Sequence, residues 1–232
     1  MKKSFRWILL GSMGILTMMA CQLLSPQTTI EEPVAEEPAA PVTEEVAIPA
    51  ENTTCQPFES IPASSQYTSA PPLSINTDGK YLATVQMAKG GEFVIELYAN
   101  KAPITVNSFI FLTCKGFFDG VTFHRVLEGF MAQGGDPSGT GRGGPGYEFV
   151  NENSDLTFDK AGVVAMANAG PDTNGSQFFI TFGPAEFLNG GYTIFGQVIS
   201  GMDVVNAITR RDPDFNPNFD GDAIQSITIS GQ

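Results

Sequence analysis

Between Gln22 and Ile75 the chain holds nine prolines and no lysine or arginine, and glutamates recur in pairs at Glu31-Glu32, Glu36-Glu37 and Glu44-Glu45. Proline fixes φ and removes a backbone donor, and like charges repel along the chain, so no hydrophobic core can close over this stretch. It reads as an extended, disordered, semi-rigid tether; even a fully flexible chain of this length spans about 40 Å. A compact fold must come from residues 76–232, a normal size for one domain with its own core.

At the other end of the tether, Lys2, Lys3 and Arg6 lead an apolar run, Trp7–Met19. The run is too short to span a bilayer comfortably, so residues 1–20 read as a secretory signal. It closes on Ala20-Cys21, a small residue followed by cysteine, which resembles the lipobox of bacterial lipoproteins. That resemblance implies acylation of Cys21 after cleavage and an extracytoplasmic, membrane-anchored protein with residues 21–75 as spacer. Met18 stands where lipoproteins prefer leucine. The alternatives are an ordinary cleaved signal with a spare thiol and an uncleaved anchor.

Loss of residues 1–20 takes the net charge from −13 to −16, and the domain keeps nine basic against seventeen acidic residues. An acidic domain without a basic stripe argues against nucleic acid as partner. With Cys21 lipidated, Cys55 and Cys114 remain, an even pair that can form a disulfide in an exported chain. Such a bridge would staple the tether's end to the domain; the alternative is two separate thiols.

Within the domain, Tyr81, Ala83, Val85 and Met87 alternate, Gly90-Gly91 turns the chain, and Phe93, Ile95 and Leu97 alternate again, which predicts a hairpin. Pro103 suits the first turn of a helix carried on by Val106, Phe109, Ile110, Thr113 and Cys114 and stopped by Gly116. Further strands are expected at 121–126, 130–133, 163–167, 177–182, 193–198 and 224–229, with a second short helix at 202–209. Many short strands with glycine-rich turns favour a mainly β domain: a closed eight-stranded antiparallel barrel capped by two helices.

The stretch FHRVLEGFMAQGGDPSGTGRGG, Phe123–Gly144, carries the chain's only histidine and the spacing G-x-G-x-x-G at Gly139, Gly141 and Gly144. A dinucleotide loop needs a helix after its glycines, and Pro145-Gly146-Tyr147-Glu148-Phe149 does not start one. Alternation on a strand puts His124 on the face opposite Arg125, where it reads as a hydrogen-bonded core histidine rather than a general base. Arg125, with Phe130, Met131 and Gln133 able to share its side, sets a cation and an amide beside apolar side chains. That is a means of holding an uncharged, carbonyl-bearing apolar ligand. The alternating oxygens of Asp212, Asp214, Asn216, Asn218, Asp220 and Asp222 lack the glycine and glutamate of a calcium loop and read as a solvated turn.

FHRVLEGFMAQGGD closely resembles the signature of cyclophilins, the peptidyl-prolyl cis-trans isomerases, and the resemblance continues through MANAGPDTNGSQFFIT (Met166–Thr181), FLNGGYTIFGQV (Phe187–Val198) and GDAIQSITI (Gly221–Ile229). It implies the eight-stranded barrel, action on X-Pro bonds, proline-containing polypeptides as partners, and no cofactor or metal. Residue by residue it implies Arg125 as the catalytic arginine, with Phe130, Met131, Phe179 and Leu188 forming the proline pocket and Gln133 beside the arginine. Ala167, Asn168 and Ala169 match the strand that holds the substrate backbone, and Gln177 matches the glutamine of a neighbouring groove. Phe187 replaces a tryptophan of well-studied members and Tyr192 a histidine, so cyclosporin is expected to bind weakly if at all. A monomer is expected. The rival reading is a non-catalytic proline-peptide-binding module or holdase at the cell envelope.

Overall fold

The structure, a computed structural model, describes residues 53–60, 63–215 and 217–231. The expected secretory signal, Cys21 and the expected tether up to residue 52 lie outside them. Among the described residues no helix is long and apolar enough to cross a membrane.

Eight strands and two α-helices follow one another as β1 (Tyr81–Met87), β2 (Glu92–Leu97), α1 (Pro103–Cys114), β3 (Arg125–Leu127), β4 (Met131–Gly134), β5 (Val163–Met166), β6 (Phe178–Thr181), β7 (Ile194–Ser200), α2 (Met202–Asn206) and β8 (Ile224–Gly231). All ladders are antiparallel, and the strands form one curled sheet in the order β3-β4-β6-β5-β7-β2-β1-β8. The hairpin predicted from Gly90-Gly91 pairs Tyr81 with Leu97 and Val85 with Phe93. The sheet does not close by a strand ladder as expected. Its edges, β3 and β8, are linked by an isolated Thr122–Ala223 bridge and by backbone bonds from Gly120 to Ile224, Phe123 to Asp222 and Ile224 to Val121. The strand expected over 121–126 therefore shortens to three residues, because 120–123 turn away from β4 to reach this seam.

Helix α1 plugs the sheet's concave side, and every residue from Thr105 to Thr113 is buried. Its first turn has no side-chain cap of its own. Glu152 supplies one: its carboxylate accepts from the Ile104 N–H at 2.9 Å, the Thr105 N–H at 2.8 Å and the Thr105 hydroxyl at 2.7 Å. A carboxylate there satisfies orphan donors and meets the positive end of the helix dipole. Helix α2 ends at Asn206, short of the Thr209 expected.

The folded unit begins well before residue 76, which corrects the expected boundary. A 3₁₀ helix spans Thr53–Phe58, and Phe58 is fully buried in the main core. Its ring meets Phe111 of α1 edge-on at 5.5 Å, and Tyr67 meets the same ring at 4.9 Å. Asn107, buried on α1, donates to the Pro72 carbonyl at 3.0 Å and accepts from the Ser74 N–H at 3.0 Å. The segment thus covers the outer side of α1, which explains a helix with buried polar residues and little amphipathic contrast. The chain here is proline-rich but also carries Phe58 and Tyr67, and burying one such ring contributes about 1.5–3 kcal/mol.

A Cys55–Cys114 disulfide ties this segment to the last residue of α1, with Cα atoms 5.5 Å apart and a sequence separation of 59. A cross-link closing so long a loop removes entropy from the unfolded chain. Replacing both cysteines with alanine should lower the unfolding free energy by roughly 2–4 kcal/mol. Chemical denaturation of oxidised protein measures it, and an unchanged midpoint would show that the bridge constrains nothing.

Candidate active site

The pleat sorts the side chains of β3, β4, β6 and β5 into two sets. In register, Val126 faces Ala132, Ala132 faces Ile180 and Ile180 faces Val164. All four are buried in the main core under α1. One residue along, Arg125 faces Gln133, Gln133 faces Phe179 and Phe179 faces Ala165. Side chains alternate across a sheet, so this second row emerges on the convex face. There it meets a second apolar cluster that includes Met131, Phe158, Val163, Ala165, Phe179, Leu188 and Ile194, with Phe130, Ala167 and Tyr192 packed against it. A single short half-sheet therefore holds a core on one side and an apolar cup on the other.

Phe179 floors the cup. It is stacked on Phe158 at 5.8 Å and meets Tyr192 edge-on at 5.5 Å. Phe130 forms a half-buried wall, positioned by the bond from the Phe182 N–H to its carbonyl at 2.9 Å. Leu188 closes another side and is buried. Phe187 stands apart from the cup: it is 77% exposed and leans on Phe130 at 5.6 Å, a rim residue rather than a lining one.

The polar side of the cup is fixed by a relay. Gln133 Nε2 donates to Gln177 Oε1 at 2.9 Å, and Gln177 Nε2 donates to the Gly143 carbonyl at 2.9 Å. This leaves Gln133 Oε1 free to accept. Arg125, opposite Gln133, is half-buried and makes no ion pair among the described residues. Beyond β5, the Ala167 N–H donates to the Gln177 carbonyl at 2.9 Å. Asn168 Nδ2 donates to the Gly191 carbonyl at 3.2 Å and its Oδ1 accepts from the Gly170 N–H at 3.3 Å, while Ala169 is exposed at the edge. The structure thus brings Met131, Phe179 and Leu188 together with Phe130, Ala167 and Tyr192 in one apolar cluster, sets Arg125 opposite Gln133, and places Gln133, Ala167, Asn168 and Gln177 along an adjoining groove.

His124 is buried on the opposite face, as alternation requires, yet neither ring nitrogen has a hydrogen-bond partner, against the expectation of a satisfied histidine. Burial depresses its pKa first, and Arg211 and Arg125 add to that against the opposing pull of Asp136, so the ring is held neutral. Nothing here equips it as a base for the cup.

The sequence reading passed over Asp136, on which the glycine-rich loop is wound. One carboxylate oxygen accepts from the Ser138 N–H and hydroxyl, both at 2.7 Å, and the other from the N–H groups of Gly141 at 2.6 Å and Gly143 at 3.1 Å. A Cβ on Gly143 would lie 2.0 Å from the carboxylate, so the glycine is needed to let the backbone close on it. An aspartate with serine two residues on is a turn signal that could have disclosed this. Asp222, likewise, is no mere solvated turn residue: it accepts from Lys89 Nζ at 2.6 Å and the Thr209 N–H at 2.6 Å.

Comparison with known proteins fits this geometry. Residues 82–229 match the family described as Cyclophilin type peptidyl-prolyl cis-trans isomerase/CLD. The chain is 50% identical over 159 residues to the probable peptidyl-prolyl cis-trans isomerase A of Mycobacterium bovis, covering 60% of this chain and 87% of that one. It is 49% identical over 142 residues to the human peptidyl-prolyl cis-trans isomerase-like 1, covering 60% and 83%. A crystal structure of a Cryptosporidium parvum cyclophilin type peptidyl-prolyl cis-trans isomerase in the presence of the dipeptide Ala-Pro superimposes with a TM-score of 0.58 at 32% identity, over 65% of this chain and 99% of that one.

Burial acts to raise the pKa of Asp136, but the bonds from Ser138, Gly143 and Gly141 outweigh it and hold the carboxyl below its usual value. A folded-state pKa below the unfolded one stabilises the protein above the ordinary aspartate pKa of about 3.9, and the gain is lost as pH falls through the lowered value. Asp136→Asn turns an amide donor toward N–H groups and should cost about 1–3 kcal/mol at neutral pH. Below about pH 4 the difference between the two proteins should shrink. Denaturation at both pH values checks this; a pH-independent difference would exclude the carboxylate as the source.

Proposed function

The chain belongs to the cyclophilin-type peptidyl-prolyl cis-trans isomerase family, and on that footing we propose that it isomerises X-Pro bonds of exported polypeptides while held at a membrane by an acylated Cys21. The observation that carries the catalytic reading is half-buried Arg125, without an ion pair among the described residues and opposite Gln133 beside an apolar cluster. The bonds from residues 120–123 to 222–224 support reading the curled sheet as a closed barrel with that cup on its outer wall.

Amide resonance makes the rotation barrier about 18–20 kcal/mol, and X-Pro bonds exchange over tens to hundreds of seconds unaided. No covalent bond need break, so the task is to bind the twisted amide better than the planar one. As the bond twists, the proline nitrogen becomes pyramidal and regains a lone pair. Arg125 can donate to that lone pair and only weakly to the delocalised nitrogen of the ground state, and such differential binding lowers a barrier. A guanidinium stays protonated at any working pH. Phe130, Met131, Phe179 and Leu188 take the ring, and Ala167–Ala169 with Asn168 restrain the flanking backbone, so motion is confined to one bond. A site partly shielded from water strengthens the donor's contribution. Phe187, exposed and without an indole N–H, supports weak cyclosporin binding.

Arg125→Ala should lower kcat/KM for a proline peptide by roughly 10²–10³, the loss expected of one transition-state donor. Melting should be little changed, because the side chain leaves the main core untouched. An exchange or protease-coupled assay decides, and full activity in the variant would remove the arginine from the mechanism.

The anchoring reading rests on the charged start, the apolar run and the Ala20-Cys21 junction. Two or more acyl chains anchor a protein stably where one does not. At a net −16 the mature chain gains no attraction from anionic lipid. Native protein should therefore remain with membranes through a high-salt wash, while Cys21→Ser is released or accumulates unprocessed, with its isomerase activity intact. A processed Cys21→Ser protein that still sediments with membranes would place the contact elsewhere.

A further inference from the structure

Next to the cup lies a groove of about 890 Å³ that shares Gln133, Ala167, Asn168 and Gln177 with it. One wall comes from outside the family-matched residues 82–229: Gln66, in the segment that precedes β1, lines the groove together with 141–148. The segment is fixed at several points. The Tyr67 N–H donates to the Pro145 carbonyl at 2.7 Å, and the Tyr67 ring packs on Phe111 of α1. The Ser64 hydroxyl donates to the Gln66 carbonyl at 2.6 Å, and the Ser64 N–H donates to Tyr67 Oη at 2.9 Å. A Cβ at Gly146, whose φ is +92°, would lie 2.4 Å from the Tyr67 carbonyl, so the loop closes on this segment only with glycine there.

Gln66 Nε2 donates to the Gly144 carbonyl at 2.9 Å. That bond settles which end of the amide is which and leaves its Oε1, which lies beside Gly146 on the groove wall, without a donor among the described residues. Gln133 Oε1 is free for the same reason, since its Nε2 is held by Gln177. The two charged side chains of the groove, Arg142 and Glu148, are both exposed and of opposite sign, so its walls are set by amides and backbone rather than by net charge.

We infer that Gln66 is a specificity-determining residue: the segment ahead of β1 forms a wall of the substrate groove, and the Gln66 carbonyl selects an uncharged hydrogen-bond-donating side chain, such as glutamine or asparagine, beside the X-Pro pair. The inference rests on the isomerase reading. Gln66 lies outside the family-matched residues 82–229, so a preference it sets is carried by the segment ahead of β1.

The test uses the full chain and pairs of X-Pro peptides that differ only in glutamine against methionine, of similar shape, at each position flanking the pair, with isomerisation followed by NMR exchange. At one flanking position the native chain should turn over the glutamine peptide with the higher kcat/KM. Gln66→Ala should lower the glutamine-to-methionine ratio there by about 2–10-fold, the loss of one hydrogen bond. A native ratio near one at every position, a ratio unchanged by Gln66→Ala, or equal slowing of both peptides would each overturn the inference while leaving the isomerase reading standing. Absence of turnover of any peptide by the native chain would instead overturn the isomerase reading, and this inference with it.

Discussion

Everything about this site depends on the two-residue period of four short strands. The row Val126, Ala132, Ile180 and Val164 is committed to the main core, and the row Arg125, Gln133, Phe179 and Ala165 to the convex face. A strand with one face in a core commonly shows the other to water, yet β5 and β6 are buried on both faces. The outer apolar cluster, packed against Phe158, is the face on which the proposed site lies. A shift of one residue in any of these registers would exchange the two rows and bury the guanidinium in the core. The tight packing of the inner row holds the outer one in place, so the geometry of the proposed site and folding stability rest on the same pairing.

The glycine-rich loop follows a different logic. Its backbone N–H groups point inward, at Asp136, rather than outward at a ligand. A buried carboxylate with four donors holds a loop that has almost no side chains to pack, and the loop in turn presents the Gly143 carbonyl to Gln177. Asp136 is thus connected through Gly143 and Gln177 to Gln133, the residue that faces Arg125, by hydrogen bonds along the way.

Much of this was legible from the chain alone. The hairpin of β1 and β2 shows in strict alternation about Gly90-Gly91, and the residues of the cup lie in motifs that resemble a known signature. The parts that were not legible share a cause: they depend on a partner distant in sequence. Residues 120–123 have strand-like composition, but the seam with 222–224 pulls them off the ladder. Helix α1 is covered on its outer side by a segment well ahead of it in the chain, from Phe58 to Ser74, so its pattern lacks a clear polar face. That segment was grouped with the tether because proline and glutamate dominate the average over residues 22–75. Phe58 and Tyr67 were the local exceptions, and an aromatic residue in an otherwise coreless stretch is a sign that something nearby will bury it. His124 shows the limit from the other direction: its burial follows from alternation, but whether its nitrogens find partners is decided by loops that alternation does not describe.

The disulfide has a mechanical consequence. Cys55 and Cys114 enclose in one covalent ring the residues between them, which include the groove wall at 64–67, both strands of the hairpin and nearly all of α1. Tension entering from the chain before Cys55 has a direct covalent path through the sulfur atoms to residue 114 and on into the strands of the cup. The enclosed residues lie off that load path. A pull on the chain ahead of Cys55 would be borne at the end of a helix, and residues 64–67 would keep their place on the folded unit.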